Sequence, residues 1–216
     1  MVNILSWNVR GAASRRCLRY FVNIVRLHFL SILIVLEPPI SGERADNVCK
    51  RIGLKEYFRV EAQAFSGGIW LLWDPVVVNV EIMAWSSQLV HAVVRSNGGQ
   101  EWLLTAVYGS PDPDERKALF YGKLCGWLVS FIVCRGSGDF NQVMAADEKM
   151  GRAGVNIASC KLMIDCMNYC NLVDLDMAGP KFTWSKRWDL PSSTRVKLDR
   201  AFVNHAWLDF FNSAGG

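Results

Sequence analysis

Apolar residues fall in short blocks along the chain, and their spacing separates strands from helices. Residues 2–7 and 31–36 are brief apolar runs of strand length, and between them Leu18, Phe21, Val22, Val25 and Phe29 recur on one helical face. The expected opening is β-α-β. Glu43, Arg44 and Asp46 read as the solvated start of a helix, and four strand-like runs follow at 68–73, 76–82, 89–95 and 101–108. Asp74-Pro75, Ser86-Ser87 and Asn97-Gly98-Gly99 separate these runs, so successive hairpins are predicted. Asp112 can cap a helix that starts at Pro113, with Glu115 three residues on and a buried stripe of Phe120, Leu124, Trp127, Leu128 and Phe131. A further helix is expected around 161–170, with Leu162, Cys166 and Tyr169 inward. Short strands are expected near 172–174, 182–184 and 195–203, and a last helix near 205–211. Hairpin strands mixed with peripheral helices give an α+β class, with helices covering the outer faces of packed sheets. No linker or internal repeat divides residues 1–216, which predicts a single domain.

Composition narrows the class. Hydrophobic residues make up 51% and charged residues 20%, which is enough apolar side chain to build a core and excludes a disordered chain. The longest apolar run, 30–36, is interrupted by Ser31 and is far shorter than the ~20 residues that cross a bilayer. Met1 leads straight into Val2-Asn3-Ile4-Leu5 without the pattern of a signal peptide, so an intracellular location is expected. The seven cysteines are odd in number and contain no C-x-x-C, which favours buried free thiols. A net charge of +4 admits a polyanionic partner without requiring one.

The polar residues at strand ends are the candidates for chemistry. Asn8 ends the first strand and Glu37 the second; if the two strands are neighbours, an amide and a carboxylate share one rim, which suits a hard divalent cation that keeps several waters. Asp139 and Asn141 are two residues apart and point to one side in extended backbone, where they could share a phosphate or an attacking water. Tyr108 closes a strand before a Gly-Ser-Pro turn, and Asp199 lies at or within another strand. Each also has a structural reading. Asn8, Asp139 and Asn141 are turn formers, Glu37 is a solvated strand end, and Tyr108 is an amphipathic core residue. The basic group Lys181, Lys186, Arg187, Arg195, Lys197 and Arg200 reads equally as solvated surface or as a phosphate track.

The ordered set of motifs resembles the endonuclease/exonuclease/phosphatase superfamily, and most closely the endonuclease domain of plant long interspersed (non-LTR) retrotransposon polyproteins. The matching blocks are Ile4-Leu5-Ser6-Trp7-Asn8-Val9-Arg10-Gly11, Leu36-Glu37-Pro38, Phe65-Ser66-Gly67-Gly68-Ile69-Trp70, Thr105-Ala106-Val107-Tyr108-Gly109-Ser110-Pro111, Gly138-Asp139-Phe140-Asn141, Gly179-Pro180-Lys181-Phe182-Thr183-Trp184-Ser185 and Lys197-Leu198-Asp199-Arg200-Ala201. The resemblance implies a four-layer α/β sandwich, two packed β-sheets flanked by helices, that cleaves DNA phosphodiesters with Mg2+ or Mn2+. It implies that Glu37 is the main metal ligand with Asn8 beside it, and that Asp139 orients or deprotonates the attacking water. Asn141 and Tyr108 would contact the phosphate, Thr183, Lys186 and Arg187 would lie near the DNA, and Asp199 would orient a histidine. Binding through Lys and Arg would weaken with salt, and a nuclear location follows from the resemblance alone.

The family pattern continues to a Ser-Asp-His block that these 216 residues do not contain, so the expectation is a C-terminally truncated domain lacking the last core strand. None of His28, His91 and His205 is placed to replace that histidine, a loss worth roughly 10²–10⁴ in rate for a positioned acid or base. Cys134-Arg135-Gly136-Ser137 also stands where the family has an apolar strand, weakening the expected support beneath Asp139. The reading is an impaired endonuclease-like hydrolase. Its competitor is a non-enzymatic retroelement relic that binds DNA weakly, with a small-molecule phosphatase third.

Overall fold

The computed structural model describes residues 2–9, 15–38, 40–62, 67–99, 101–128, 134–176, 179–186 and 193–213. They form two compact units, Met1–Tyr108 and Gly109–Gly216.

The first unit runs β1 (Ile4–Asn8), α1 (Arg15–Leu27), β2 (Ile32–Leu36), α2 (Gly42–Ile52), β3 (Glu56–Val60), β4 (Ile69–Trp73), β5 (Val78–Ser86), β6 (Leu89–Ser96) and β7 (Glu101–Tyr108). The predicted β-α-β opening is present, with β1 and β2 parallel and in register from Ile4↔Ile32 to Asn8↔Leu36. The expected chain of four hairpins is not. β4 leaves that series and lies antiparallel between β2 and β3, giving a mixed sheet of order β1-β2-β4-β3. The reason is its composition: Ile-Trp-Leu-Leu-Trp is buried along its whole length, so it needs a central position with both faces covered. β5, β6 and β7 form the antiparallel meander that the turn residues predict.

One face of the mixed sheet carries Leu33, Val35, Trp70 and Leu72 against Phe21 and Val25 of α1 and Ala45, Cys49 and Ile52 of α2. Burying each large aliphatic chain there contributes about 1.5–3 kcal/mol. Strands β3 and β4 touch β5 and β7 of the meander, so Ile32, Ile34, Leu36, Ile69 and Leu71 are fully buried as well. Phe29, expected on the buried helical face, is instead exposed: α1 ends at Leu27, and the left-handed backbone at Phe29 (φ 48°) hands the inward position to Leu30.

The second unit runs α3 (Pro113–Ala118), a π-helical turn Leu119–Leu124, α4 (Cys125–Leu128), β8 (Cys134–Asp139), a 3-10 turn Ala146–Glu148, β9 (Lys149–Met150), α5 (Ile157–Tyr169), β10 (Leu172–Asp174), β11 (Trp184–Lys186), β12 (Thr194–Val196), β13 (Asp199–Asn204) and α6 (His205–Ser213). Asp112 caps α3 as predicted, its carboxylate accepting from the N–H groups of Asp114 (2.9 Å) and Glu115 (3.0 Å). Phe120, Leu124 and Leu128 are buried as expected, while the Trp127 side chain and Phe131 lie outside the described residues. On α5 the inward residues are Cys160, Met163, Cys166 and Met167, and Tyr169 is exposed. Cys166 is buried as expected and Leu162 partly so; only Tyr169, at the C-terminal end of the helix, departs from the expected face. The single strand expected over 195–203 is broken at Lys197-Leu198 into β12 and β13.

β13 pairs antiparallel with both β10 and β8, and β12 with β11 and β9. The Cys-Arg-Gly-Ser-Gly-Asp segment forms β8 despite having few large apolar residues, because its partner strand supplies the core. Phe140, just beyond it, packs edge-on against Phe202 (ring centres 5.1 Å), and the Arg135 guanidinium lies 5.3 Å from the Trp207 ring centre.

An ion-pair network holds β13 to its neighbours. Arg200 has no exposed side-chain surface and pairs with Glu148 and, at 2.5 Å, with Asp174, which also pairs with Lys197 at 2.9 Å. Burial pushes the Glu148 carboxyl up, but hydrogen bonds from Arg200 and from the Met144 and Ala145 N–H groups outweigh it and hold the group below its ordinary value. A carboxyl depressed in the folded state adds stability above its unfolded value, about 4.5, and loses it as pH falls through the folded one. The thermal midpoint should therefore drop on acidification below about pH 4.5, and drop less steeply in Glu148→Gln; equal slopes would contradict the assignment.

Candidate active site

Within the first unit the structure gathers three of the residues singled out by sequence. Asn8 ends β1 opposite Leu36, and the next residue, Glu37, leaves β2 with its N–H bonded to the Gly68 carbonyl at 3.2 Å. The Tyr108 hydroxyl, at the end of β7, donates to Glu37 Oε1 at 2.5 Å. Glu37 has left-handed backbone, φ 51°. For a residue other than Gly, Asn or Asp this is uncommon and costs about 1–3 kcal/mol, a strain that persists where the surroundings impose it. Gly68 makes room for the turn, since a Cβ there would stand 3.1 Å from Pro38. Gly67, next to it, lies near the Tyr108 ring and the Ser87 carbonyl. Both glycines have φ 85°, a backbone that residues with a Cβ rarely adopt.

Within the second unit, Asp139 closes β8 and lies directly opposite Asp199 of β13. Like charges directly opposite each other on paired strands repel unless other partners offset them. The Asn141 N–H donates to Asp139 Oδ1 (2.8 Å), and the Asn141 side-chain amide donates to the Gly109 carbonyl (2.7 Å). Gly109 N–H returns a bond to the Asp139 carbonyl at 2.7 Å. A Cβ at Gly109 would collide with the Phe140 carbonyl, so only glycine fits. Asn141, like Glu37, is left-handed (φ 47°). The sequence expectation of same-side Asp139 and Asn141 side chains assumed extended backbone. The turn instead directs the Asn141 amide to Gly109.

Thr183 sits just before β11, and its Oγ1 accepts from the N–H groups of both Leu198 and Asp199 at 3.0 Å. The Leu198 carbonyl in turn accepts the Phe140 N–H at 3.0 Å, so Thr183 braces the turn that carries Asp139. Thr183→Val should lower stability by about 1–3 kcal/mol by stranding two amides, with Thr183→Ser close to wild type in thermal unfolding. Equal stability of the Val variant would leave only a surface role for this hydroxyl.

Among the described residues, several of the basic group are taken up by ion pairs. Arg200 and Lys197 are spent on Glu148 and Asp174, and Lys181 pairs with Asp147 at 2.6 Å. Lys186 is exposed, and Arg187 lies outside the described residues. His91 is buried on β6 with Nδ1 2.8 Å from Thr105 Oγ1, and His28 follows the end of α1 rather than lying on it. His205, in the same unit as Asp199, starts α6 at the other end of β13, roughly 20 Å along an extended strand. Cys49, Cys134, Cys160, Cys166 and Cys170 are buried free thiols, and burial pushes Cys49 up to about 12 and Cys134 up to about 11. They are poor nucleophiles.

Among the described residues no three His, Cys, Asp or Glu side chains form a metal cage. The donors at the β1–β2 rim, one carboxylate and one amide, instead fit a hard cation that keeps most of its water, as magnesium does.

The chain matches no family model and no curated protein sequence. Solved structures do match. The endonuclease domain of TRAS1, a telomere-specific non-LTR retrotransposon, aligns over 97% of this chain and 88% of its own, with a TM-score of 0.65 and 12% identity. The chain has the endonuclease/exonuclease/phosphatase fold. Within that fold it also aligns with the AP endonuclease LMAP from Leishmania major, over 95% of this chain and 79% of that one (TM-score 0.69, 12% identity). The 3' phosphatase NExo from Neisseria, bound to a product DNA hairpin, aligns over 95% and 88% (TM-score 0.68, 14% identity). No helix among the described residues is long and apolar enough to cross a membrane.

Proposed function

We propose that the chain is a divalent-metal-dependent phosphodiesterase acting on DNA, of retrotransposon origin. The observation that carries this reading is Glu37: a carboxylate kept in strained left-handed backbone at a strand end, gripped by the Tyr108 hydroxyl. The TRAS1 endonuclease match supports the origin.

Glu37 and Asn8 would hold Mg2+ or Mn2+ through few protein oxygens. The bound cation would neutralise the phosphate and acidify a water. Tyr108 fixes the Glu37 carboxylate through its one O–H, and would contact a phosphoryl oxygen only by giving up that bond. Asp139 accepts a proton from, or aligns, the attacking water. Asn141 keeps that carboxylate in place through its N–H, and Asp199 lies opposite it. Turnover is slow in this reading, because the unit's one histidine, His205, stands at the far end of β13 from Asp199. The same placement favours a second reading, a module that binds DNA and cleaves nothing.

Nicking of supercoiled plasmid with Mg2+ separates the two. The enzymatic reading expects slow nicking that EDTA abolishes; binding in a gel-shift assay with no nicking would favour the second reading.

A further inference from the structure

Arg116 is absent from every motif read in the sequence, yet it occupies a special place beside Asp139. It sits in α3, about half buried, and its guanidinium bridges two chain segments. Nη1 donates to the Ser110 carbonyl at 2.5 Å and Nε donates to Gln142 Oε1 at 3.3 Å. Gln142 is itself buried and fixed, its side-chain amide donating to the Val143 carbonyl at 3.0 Å.

Those two segments flank the Asp139 turn. Ser110 follows Gly109, which exchanges hydrogen bonds with Asp139 and Asn141, and Gln142 follows Asn141. A fork spanning Ser110 and Gln142 therefore fixes the separation of the two strands of chain that hold the Asp139 carboxylate. Its charge matters too. Burial pushes the guanidinium down, while the carboxylates of Asp112 and Asp139 act the other way, so this cation lies in the field of Asp139. A guanidinium stays charged even when partly buried, which an ammonium does not guarantee. It offsets the repulsion expected where Asp139 and Asp199 face each other in register.

We infer that Arg116 is a positioning residue for Asp139: it clamps Ser110 to Gln142 and keeps the Asp139 carboxylate aimed for its work on the water. This rests on the proposed phosphodiesterase reading, so the test carries one readout that needs no activity. In the full chain, amide hydrogen exchange at Asn141 and Gly109 should speed up about tenfold in Arg116→Met, while exchange in β2 and β4 stays unchanged. In single-turnover plasmid nicking, the rate at saturating enzyme should fall about 10–100-fold with little change in the half-saturating concentration, as for a catalytic group misplaced by a fraction of an ångström. Lys117→Met, one residue along, controls for simple loss of positive charge and should leave the saturating rate unchanged.

Arg116→Lys retains charge but not the fork, and should fall between wild type and Arg116→Met in both readouts. It also serves as the deciding variant if the Met form fails to fold. Unchanged exchange at Asn141 and Gly109 in Arg116→Met, or in Arg116→Lys if the Met form does not fold, overturns the clamp. If the Arg116 and Lys117 variants lose rate equally, or only through weaker binding, the positioning role is overturned as well. If wild type shows no nicking, the enzymatic reading fails by itself, and the exchange data alone decide the clamp.

Discussion

Glu37→Gln is expected to lower magnesium-dependent nicking at least about a hundredfold while leaving the thermal midpoint close to wild type. Loss of an outer partner of a metal ligand already costs about 10–100-fold, and loss of the ligand's charge should cost no less. The variant keeps an amide oxygen where the carboxylate accepts the Tyr108 hydroxyl, so the buried phenol retains its partner. The left-handed backbone and the Gly68 contact are untouched by the substitution. A stability loss comparable to the activity loss would mean that Glu37 is a structural strand end, as one reading of the sequence allows.

Asp139→Asn separates chemistry from scaffold in the same way. Its amide oxygen can still accept the Asn141 N–H, so the turn is preserved, but the side chain can no longer take a proton. The saturating nicking rate should fall by about 10²–10⁴. Stability should stay close to wild type, because the Asn141 bond that holds the turn is kept. A large loss of rate with little change in stability is the signature of a residue kept for function; a comparable fall in both would assign Asp139 to the fold.

Strand ends were legible because apolar runs stop abruptly at polar residues: the β1–β2 pairing, the β5–β7 meander and the positions of Asn8, Glu37 and Asp139 all follow from that pattern. The partner of each strand was less legible. β4 is adjacent in sequence to β5 but buried on both faces, and only the need to cover Trp70 and Leu72 takes it to the centre of the other sheet. β3, whose Glu-Tyr-Phe-Arg-Val sequence has no apolar/polar alternation, gave no clear strand signal. Within the site, residue type pointed to Glu37 and Asn141, but their left-handed backbones depend on contacts with Gly68 and Gly109 that lie far away in sequence. Arg200, which by sequence reads equally as solvated surface or part of a phosphate track, is neither, because Glu148 and Asp174 surround it. Arg116 carried no signal at all, since a lone helical arginine reads as solvated surface.

The central claim is that Glu37 holds a divalent cation. Titration of Mn2+ into the full chain, followed by electron paramagnetic resonance of the free ion, tests it without requiring turnover. Wild type is expected to bind Mn2+ at one site whose affinity falls at least about tenfold in Glu37→Gln. Equal Mn2+ affinity in the two proteins would contradict it.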